Sequence, residues 1–387
     1  MISFDNTEIA FSGKTNADLN RSYWLFKMVS NPRLVNIGKS LTTFAIYFHL
    51  PIKTIIKATI FKQFCGGETI AECDKTIEVL QKYKVGTILD YSVEGKNSEA
   101  DFETTTREII ATIEKAKKNK GISFCVFKVT GIARFDLLEK YDSAKGLSET
   151  EKKDFDIIRN RVNRICKAAF EASVSIFIDA EESWIQKAID DLADEMMLRY
   201  NRDKAIVFNT FQMYRTDRLE FLKQSLEKAT AQKYFLGAKL VRGAYMEKER
   251  LRADQKNKIS PIQKDKIQTD KDYDAALLFC IKHIDKIAFC AGTHNENSSM
   301  HLVKMMQENN IAPEDKRIYF SQLFGMSDHI SFNLANAGYN VAKYVPYGPV
   351  KEVLPYLIRR AQENTSVKGQ TGRELGLIMK EKERREK

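Results

Sequence analysis

The stretch "AIVFNTFQMYRTDRLEFLKQSLEKATAQKYFLGAKLVRG", Ala205–Gly243, decides the fold. It opens on a short run that is apolar on both faces, continues with Leu219, Leu222 and Leu226 at helical spacing, and returns to a second such run. Strands apolar on both faces and joined by helices build a parallel sheet with right-handed crossovers.

The same unit recurs along the chain. Runs rich in Val, Ile and Phe read "VGTILDY", "ISFCVFKVT", "VSIFIDA", "AIVFNTF", "GAKLVRG", "IAFCAG", "RIYFSQL" and "NVAKYVP", with helical spacing between them, as at Ile185, Ala188, Ile189, Leu192 and Met196. Eight βα units are the number that closes a barrel. The expected fold is therefore α/β, a distorted (βα)8 TIM-like barrel over residues 85–364. An N-terminal helical segment, 1–84, packs on it, and a charged C-terminal tail, 365–387, follows.

Two stretches look inserted. "LEKYDSAKGLSETEKKDF" holds Ser148 and Glu151 at capping-box spacing. The long charged segment beginning "MEKERLRADQKNK" follows the fifth strand, at the end where barrels place their active sites, and is a candidate lid.

Composition narrows the function. The chain of 387 residues is 43% hydrophobic and 29% charged, as a folded globular protein is. Its 62 basic and 52 acidic residues give +10, but the two signs are interleaved, so the excess reads as solvated helix faces and no nucleic-acid site is assigned. Six cysteines without a C-x-x-C pair read as reduced core thiols. The amino terminus carries no basic leader, which makes the cytoplasm the expected location. "SLTTFAIYFHLPI", Ser40–Ile52, is too short to span a bilayer and reads as a packing helix, with peripheral membrane contact as the alternative.

Chemistry in such a barrel is built at the carboxyl ends of the strands. The polar residues there are Asp90, Lys128, Asp179, Gln212, Lys239, Arg242, Thr293, His294, Asn295, Gln322 and Tyr344. Lysines and arginines among fewer acids suit an anionic ligand. After the eighth strand, Glu352, Tyr356, Arg359, Arg360 and Glu363 fall on one face of a helix begun by the Gly348–Pro349 turn and interrupted by Pro355. The paired arginines read as a clamp for a small carboxylate. No G-x-G-x-x-G or G-x-x-x-x-G-K-[ST] occurs, and the five histidines lack metal-ligand spacing, so neither a Rossmann or P-loop site nor a metal is expected.

"FIDAEES", "KLVRGAYMEKER" and "FSQLFGMSDHISFNLANAGYNVAKYVPYGPVKEVLPYLIRRAQEN" resemble the signature blocks of the proline dehydrogenase family. The likeness runs from about "TIFKQFCGGET" to "RRAQEN". It implies a distorted (βα)8 barrel that holds FAD noncovalently and oxidises L-proline to Δ1-pyrroline-5-carboxylate, with a quinone as electron acceptor.

Carried over by position, the resemblance assigns the proline carboxylate to Arg359 and Arg360, with Lys128 nearby and Tyr344 and Tyr356 shaping the pocket. Asp179 and Lys239 match the active-site acid and the cation beside the flavin. Ala180, Gln212, Arg242, Gly243, Ala244, Tyr245, Thr293, His294, Asn295, Gln322 and Glu363 match cofactor-contacting positions.

Bacterial members commonly read "RLVKGAYW" where this chain reads "KLVRGAYM", an order similar to the eukaryotic monofunctional enzymes. Lys239 thus keeps a flavin cation without its bidentate geometry, and Gln322 stands one position away from the bacterial spacing. The short extent after "RRAQEN" implies the first catabolic step only. A flavin dehydrogenase for hydroxyproline or another cyclic imino acid is the enzymatic alternative, disfavoured because the resemblance places a smaller residue at the position of Tyr344 in relatives that favour hydroxyproline. A catalytically silent helical binding protein is the alternative from another class.

Overall fold

The computed structural model describes residues 2–31, 53–93, 97–143, 146–366 and 370–387, and their side chains except at 362–366 and 370–371. The segment Ser40–Ile52, read above as a packing helix, lies outside the described residues, as does the side chain of Glu363. No described helix is long and apolar enough to cross a membrane.

Eight parallel strands close a barrel in chain order: β1 Val85–Tyr91, β2 Ile122–Lys128, β3 Ser175–Asp179, β4 Val207–Gln212, β5 Leu236–Val241, β6 Ile287–Gly292, β7 Ile318–Leu323 and β8 Val341–Tyr347. Every strand expected from the sequence is present. The reason is local: these runs are buried on both faces, β4 and β8 without interruption, so only a covered parallel sheet can hold them.

The chain divides into two compact units, residues 96–321 and residues 1–95 with 322–387. Within the first, β2 to β6 and most of β7 pair in sequence, with Lys128 opposite Asp179, Thr210 opposite Lys239 and Lys239 opposite Cys290. Phe124 stacks on Phe177 at 4.4 Å, and Phe208 and Tyr319 meet Phe124 edge-on at 5.6 and 4.8 Å. This aromatic layer fills the barrel below the strand ends, as side-chain layers do in folds of this type.

The helices follow their sequence signals. Glu149–Ala172 starts at the Ser148/Glu151 capping box and ends on Ser173 in the left-handed region. Ser183–Tyr200 buries Ile185, Ala188, Ile189, Leu192 and Met196 on one face.

In the second unit, β1 and β8 run in register from Val85–Val341 to Tyr91–Tyr347. A separate core joins the amino-terminal helices to the helix Val350–Ser366, through Phe11, Leu19, Phe26, Phe64, Val353 and Leu357. Pro355 lies inside that helix without ending it and is exposed. The charged C-terminal stretch carries a helix, Gln370–Glu386, that buries Leu377 and Ile378 in the same core.

A buried charge cluster braces this unit. Asp328 pairs with Lys14 at 2.9 Å and with the fully buried Lys343 of β8 at 2.8 Å. The turn beside it needs glycine at 325: φ is +78°, and a Cβ there would lie 2.0 Å from the Gln63 carbonyl oxygen. All six cysteines are free and buried.

Candidate active site

At the carboxyl ends of the strands in residues 96–321, charged side chains are fixed by one another. Lys239 Nζ donates to Asp179 Oδ1 at 2.5 Å and lies 5.3 Å from the centre of the Phe177 ring. The side chains are 8% and 14% exposed, so the pair is largely withdrawn from water. Lys128, half-buried, ends β2 directly opposite Asp179.

Arg242 is held on every nitrogen. Its Nε donates to Asp270 Oδ1 at 2.7 Å, Nη1 to Thr293 Oγ1 at 2.7 Å and Nη2 to Ser298 Oγ at 2.9 Å, while the guanidinium lies 4.3 Å from the Tyr273 ring centre. Burial pushes the Asp270 carboxyl up, but Lys266 and Arg242 outweigh it and hold it below its ordinary value. Ser298 is fixed in turn by donating to Asp274 Oδ1 at 2.6 Å.

Gly243, next to Arg242, has φ +133°, and a Cβ would lie 2.4 Å from the Tyr214 ring. Only glycine fits there. Ala244 is exposed, Tyr245 is half-buried and precedes the helix Met246–Gln255, and Ala180 follows β3 almost fully buried. Thr293 is buried after β6, and His294 and Asn295 are half-buried beside it. Asn295 caps the helix Glu296–Glu308 through Oδ1.

Gln212 closes β4 with 2% of its surface exposed. Its Oε1 has no hydrogen-bond partner among the described residues. A buried carbonyl oxygen left unmatched costs about 1–3 kcal/mol unless something donates to it.

The charged stretch after β5 is docked. Glu249, 2% exposed, accepts from Ser183 N at 2.6 Å and Ser183 Oγ at 2.7 Å, Lys248 binds Glu182 at 2.9 Å, and the Arg252 guanidinium lies 4.2 Å from the Trp184 ring centre. These contacts hold the Met246–Gln255 helix against the start of the Ser183–Tyr200 helix.

In the other unit, Tyr344 of β8 is 8% exposed and Tyr356 of the following helix 6%. Arg360, 7% exposed, lies with its guanidinium 5.1 Å from the Tyr356 ring centre, and Arg359 beside it is half-buried. The paired arginines are thus not the solvated helix face that charge alone suggests. Gln322 is buried near the end of β7, its Oε1 accepting from Ser331 Oγ at 2.7 Å. Asp90, the next-to-last residue of β1, is buried and accepts from Ser92 Oγ.

Several residues here escaped the sequence reading. Asp270, Tyr273 and Asp274, which fix Arg242 directly or through Ser298, sit at i, i+3 and i+4 of the helix Lys266–Lys282. That spacing marks one helix face, but the lysines around it make the face look solvated. Glu181, two residues beyond Asp179 and 3% exposed, accepts from Thr130 N at 3.0 Å and Thr130 Oγ1 at 2.5 Å. It lies beyond the end of β3, where strand periodicity carries no signal.

With this geometry in place, the comparisons with known proteins become specific. The proline dehydrogenase family model matches residues 73–373. The chain is 34% identical to proline dehydrogenase 1, mitochondrial, of Dictyostelium discoideum, over 98% of this chain and 74% of that protein. It is 30% identical to hydroxyproline dehydrogenase of Xenopus laevis, over 97% of this chain and 88% of that one.

Among solved structures, it is similar to proline utilization A from Bdellovibrio bacteriovorus, with TM-score 0.74, 20% identity and 93% of this chain covered. The chain spans 38% of that larger protein, and the likeness concerns the fold. The family match across most of the sequence and the closed eight-stranded barrel agree: the chain belongs to the proline dehydrogenase family.

Proposed function

We propose that the chain oxidises L-proline to Δ1-pyrroline-5-carboxylate, holding FAD noncovalently as the hydride acceptor and passing electrons on to a quinone. The observation that carries this reading is Gln212 Oε1, a buried acceptor at a strand end without a donor among the described residues. An N–H on the edge of an isoalloxazine is a donor of the right kind. The residues around it fit such a group: Lys239 and Arg242 supply cations, and Gly243 leaves the backbone bare.

When bound, FAD supplies a two-electron acceptor. The chain's own residues bind and orient. In this reading Ala180, Gln212, Arg242, Gly243, Ala244, Tyr245, Thr293, His294, Asn295, Gln322 and Glu363 hold the cofactor. Lys239, kept in place by Asp179, stabilises negative charge as the flavin is reduced.

Arg359 and Arg360 fix the proline carboxylate, Tyr344 and Tyr356 shape the space for the ring, and Lys128 adds positive charge. Orientation of a bound substrate is the larger part of such catalysis, because it makes hydride transfer effectively unimolecular.

The likeness to hydroxyproline dehydrogenase supports a second reading, a dehydrogenase for a hydroxylated cyclic imino acid. The ratio of kcat/KM for L-proline and hydroxyproline separates the two. Tyr344, large and 8% exposed, favours proline.

The proposed location follows the relatives: the name of the Dictyostelium protein favours the mitochondrion over the cytoplasm expected from the amino terminus. Peripheral contact with a membrane holding the quinone is part of the proposal, and sedimentation with vesicles containing anionic lipid tests it.

A further inference from the structure

The reading above leaves one buried ionisable group unused. Glu181 stands two residues beyond Asp179, and Thr130 stands two beyond Lys128. Lys128 and Asp179 are opposite one another on β2 and β3, and the next pair outward is joined by side chain instead of backbone. Thr130 N and Oγ1 donate to the two oxygens of Glu181, at 3.0 and 2.5 Å. Lys128 ends β2 opposite Asp179, which already accepts from Lys239, and its positive charge also acts on the Glu181 carboxyl.

Glu181 is fixed from the other side as well. Its backbone N–H donates to Gln186 Oε1 at 2.9 Å, and Gln186 Nε2 donates to Asp190 Oδ1 at 2.9 Å. Asp190 is anchored by Asn209 Nδ2 at 3.0 Å and Arg218 Nη1 at 2.7 Å. The position of the carboxyl is thus set by a hydrogen-bonded chain reaching into β4.

We propose that Glu181 is a positioning residue for Lys128, holding the lysine through the turn at Thr130 and setting how much positive charge the site presents to an acidic substrate. The turn is the single 3-10 turn Val129–Gly131 that follows Lys128 directly.

The electrostatics of the pocket agree. Burial raises the Glu181 carboxyl to about 7, against the pull of Lys128 and the Thr130 donors, and the neighbouring Glu182 adds to the rise. Of the other charges near it, Glu182 is bound by Lys248, Glu249 by Ser183, and Asp179 by Lys239. Below that value the group is neutral and Lys128 keeps its full charge toward a ligand. Above it, the carboxylate offsets that charge.

The proposal rests on the activity assigned above only for the identity of the acidic substrate, so its main readout is independent of turnover. Lysines are carbon-13 methylated reductively, and the Lys128 resonance is assigned by its loss in K128R. In the wild-type holoprotein this resonance shifts in a step centred near pH 7, and the step vanishes in E181Q. T130V, which removes one donor to the carboxylate, keeps the step and moves it to higher pH.

The KM for L-proline follows: in the wild type it rises by about tenfold across the step and levels off above it, beyond the dependence E181Q retains. A step that persists in E181Q, or no step in the wild type, overturns the role of Glu181. Bleaching of the flavin by L-proline is scored separately, so loss of that activity is distinguished from failure of the Glu181 assignment.

Discussion

Lys239 of β5 donates to Asp179 at the end of β3, so the ion pair bridges over β4, the strand that ends in Gln212. The cation is held by a side chain two strands away, and its place is set by barrel register more than by its own rotamer. Such preorganisation matters when negative charge develops nearby, because the protein need not reorganise to meet it.

The first prediction concerns this pair. K239M should slow reduction of the bound flavin by L-proline by about 10²-fold, the usual cost of removing one preorganised charge or donor. D179N, which frees the lysine without removing it, should cost less. Stopped-flow reduction under anaerobic conditions measures both.

Arg359 and Arg360 are assigned to the carboxylate. Each charge-assisted hydrogen bond contributes about 1.5–3 kcal/mol, so R359M or R360M should raise the KM for L-proline by about 10- to 100-fold and weaken inhibition by other small carboxylates in parallel. Steady-state kinetics with an acetate series checks this. Unchanged KM in both variants would remove the arginines from the site.

Arg242 follows β5 directly, and its guanidinium is fixed there by Asp270, Thr293 and Ser298, which accept from its three nitrogens. D270A should therefore loosen FAD even though Asp270 is not assigned to the cofactor. Flavin released on gel filtration should increase in D270A and more so in R242M, while circular dichroism stays that of the wild type.

The Asp328 cluster makes a prediction about acid. Burial pushes this carboxyl up, but Lys14 and Lys343 outweigh burial and hold it below the usual carboxylate range. Its folded value is thus depressed. The stability it contributes is fully present above the unfolded value of about 3.9 and is lost as the pH falls through the folded one. D328N, which leaves two lysines without their shared partner, should cost about 3–5 kcal/mol at neutral pH. The gap to wild type should narrow on acidification. Urea denaturation at a series of pH values measures it.

The barrel was legible because its evidence is periodic: strands such as "VSIFIDA" and the face Ile185, Ala188, Ile189, Leu192 carry the fold in adjacent residues. The site was partly legible. Strand-end position singled out Lys128, Asp179, Gln212 and Lys239, but spacing within one segment does not reveal that Lys239 binds Asp179, a contact across 60 residues of chain.

The support for Arg242 was hidden for the same reason. Asp270 lies on a helix crowded with lysines, and only tertiary packing turns it toward the arginine. Glu181 lies past the end of β3 and so outside the strand-end residues that position singled out, and its burial against Thr130 emerges from the pairing of β2 with β3.

The most direct test of the account is an optical spectrum of the purified, FAD-loaded protein, recorded without oxygen before and after L-proline is added. The account predicts a yellow protein whose visible absorbance disappears on mixing, with pyrroline-5-carboxylate formed in equal amount. A protein that takes up no flavin, or whose flavin stays oxidised in saturating L-proline, contradicts it.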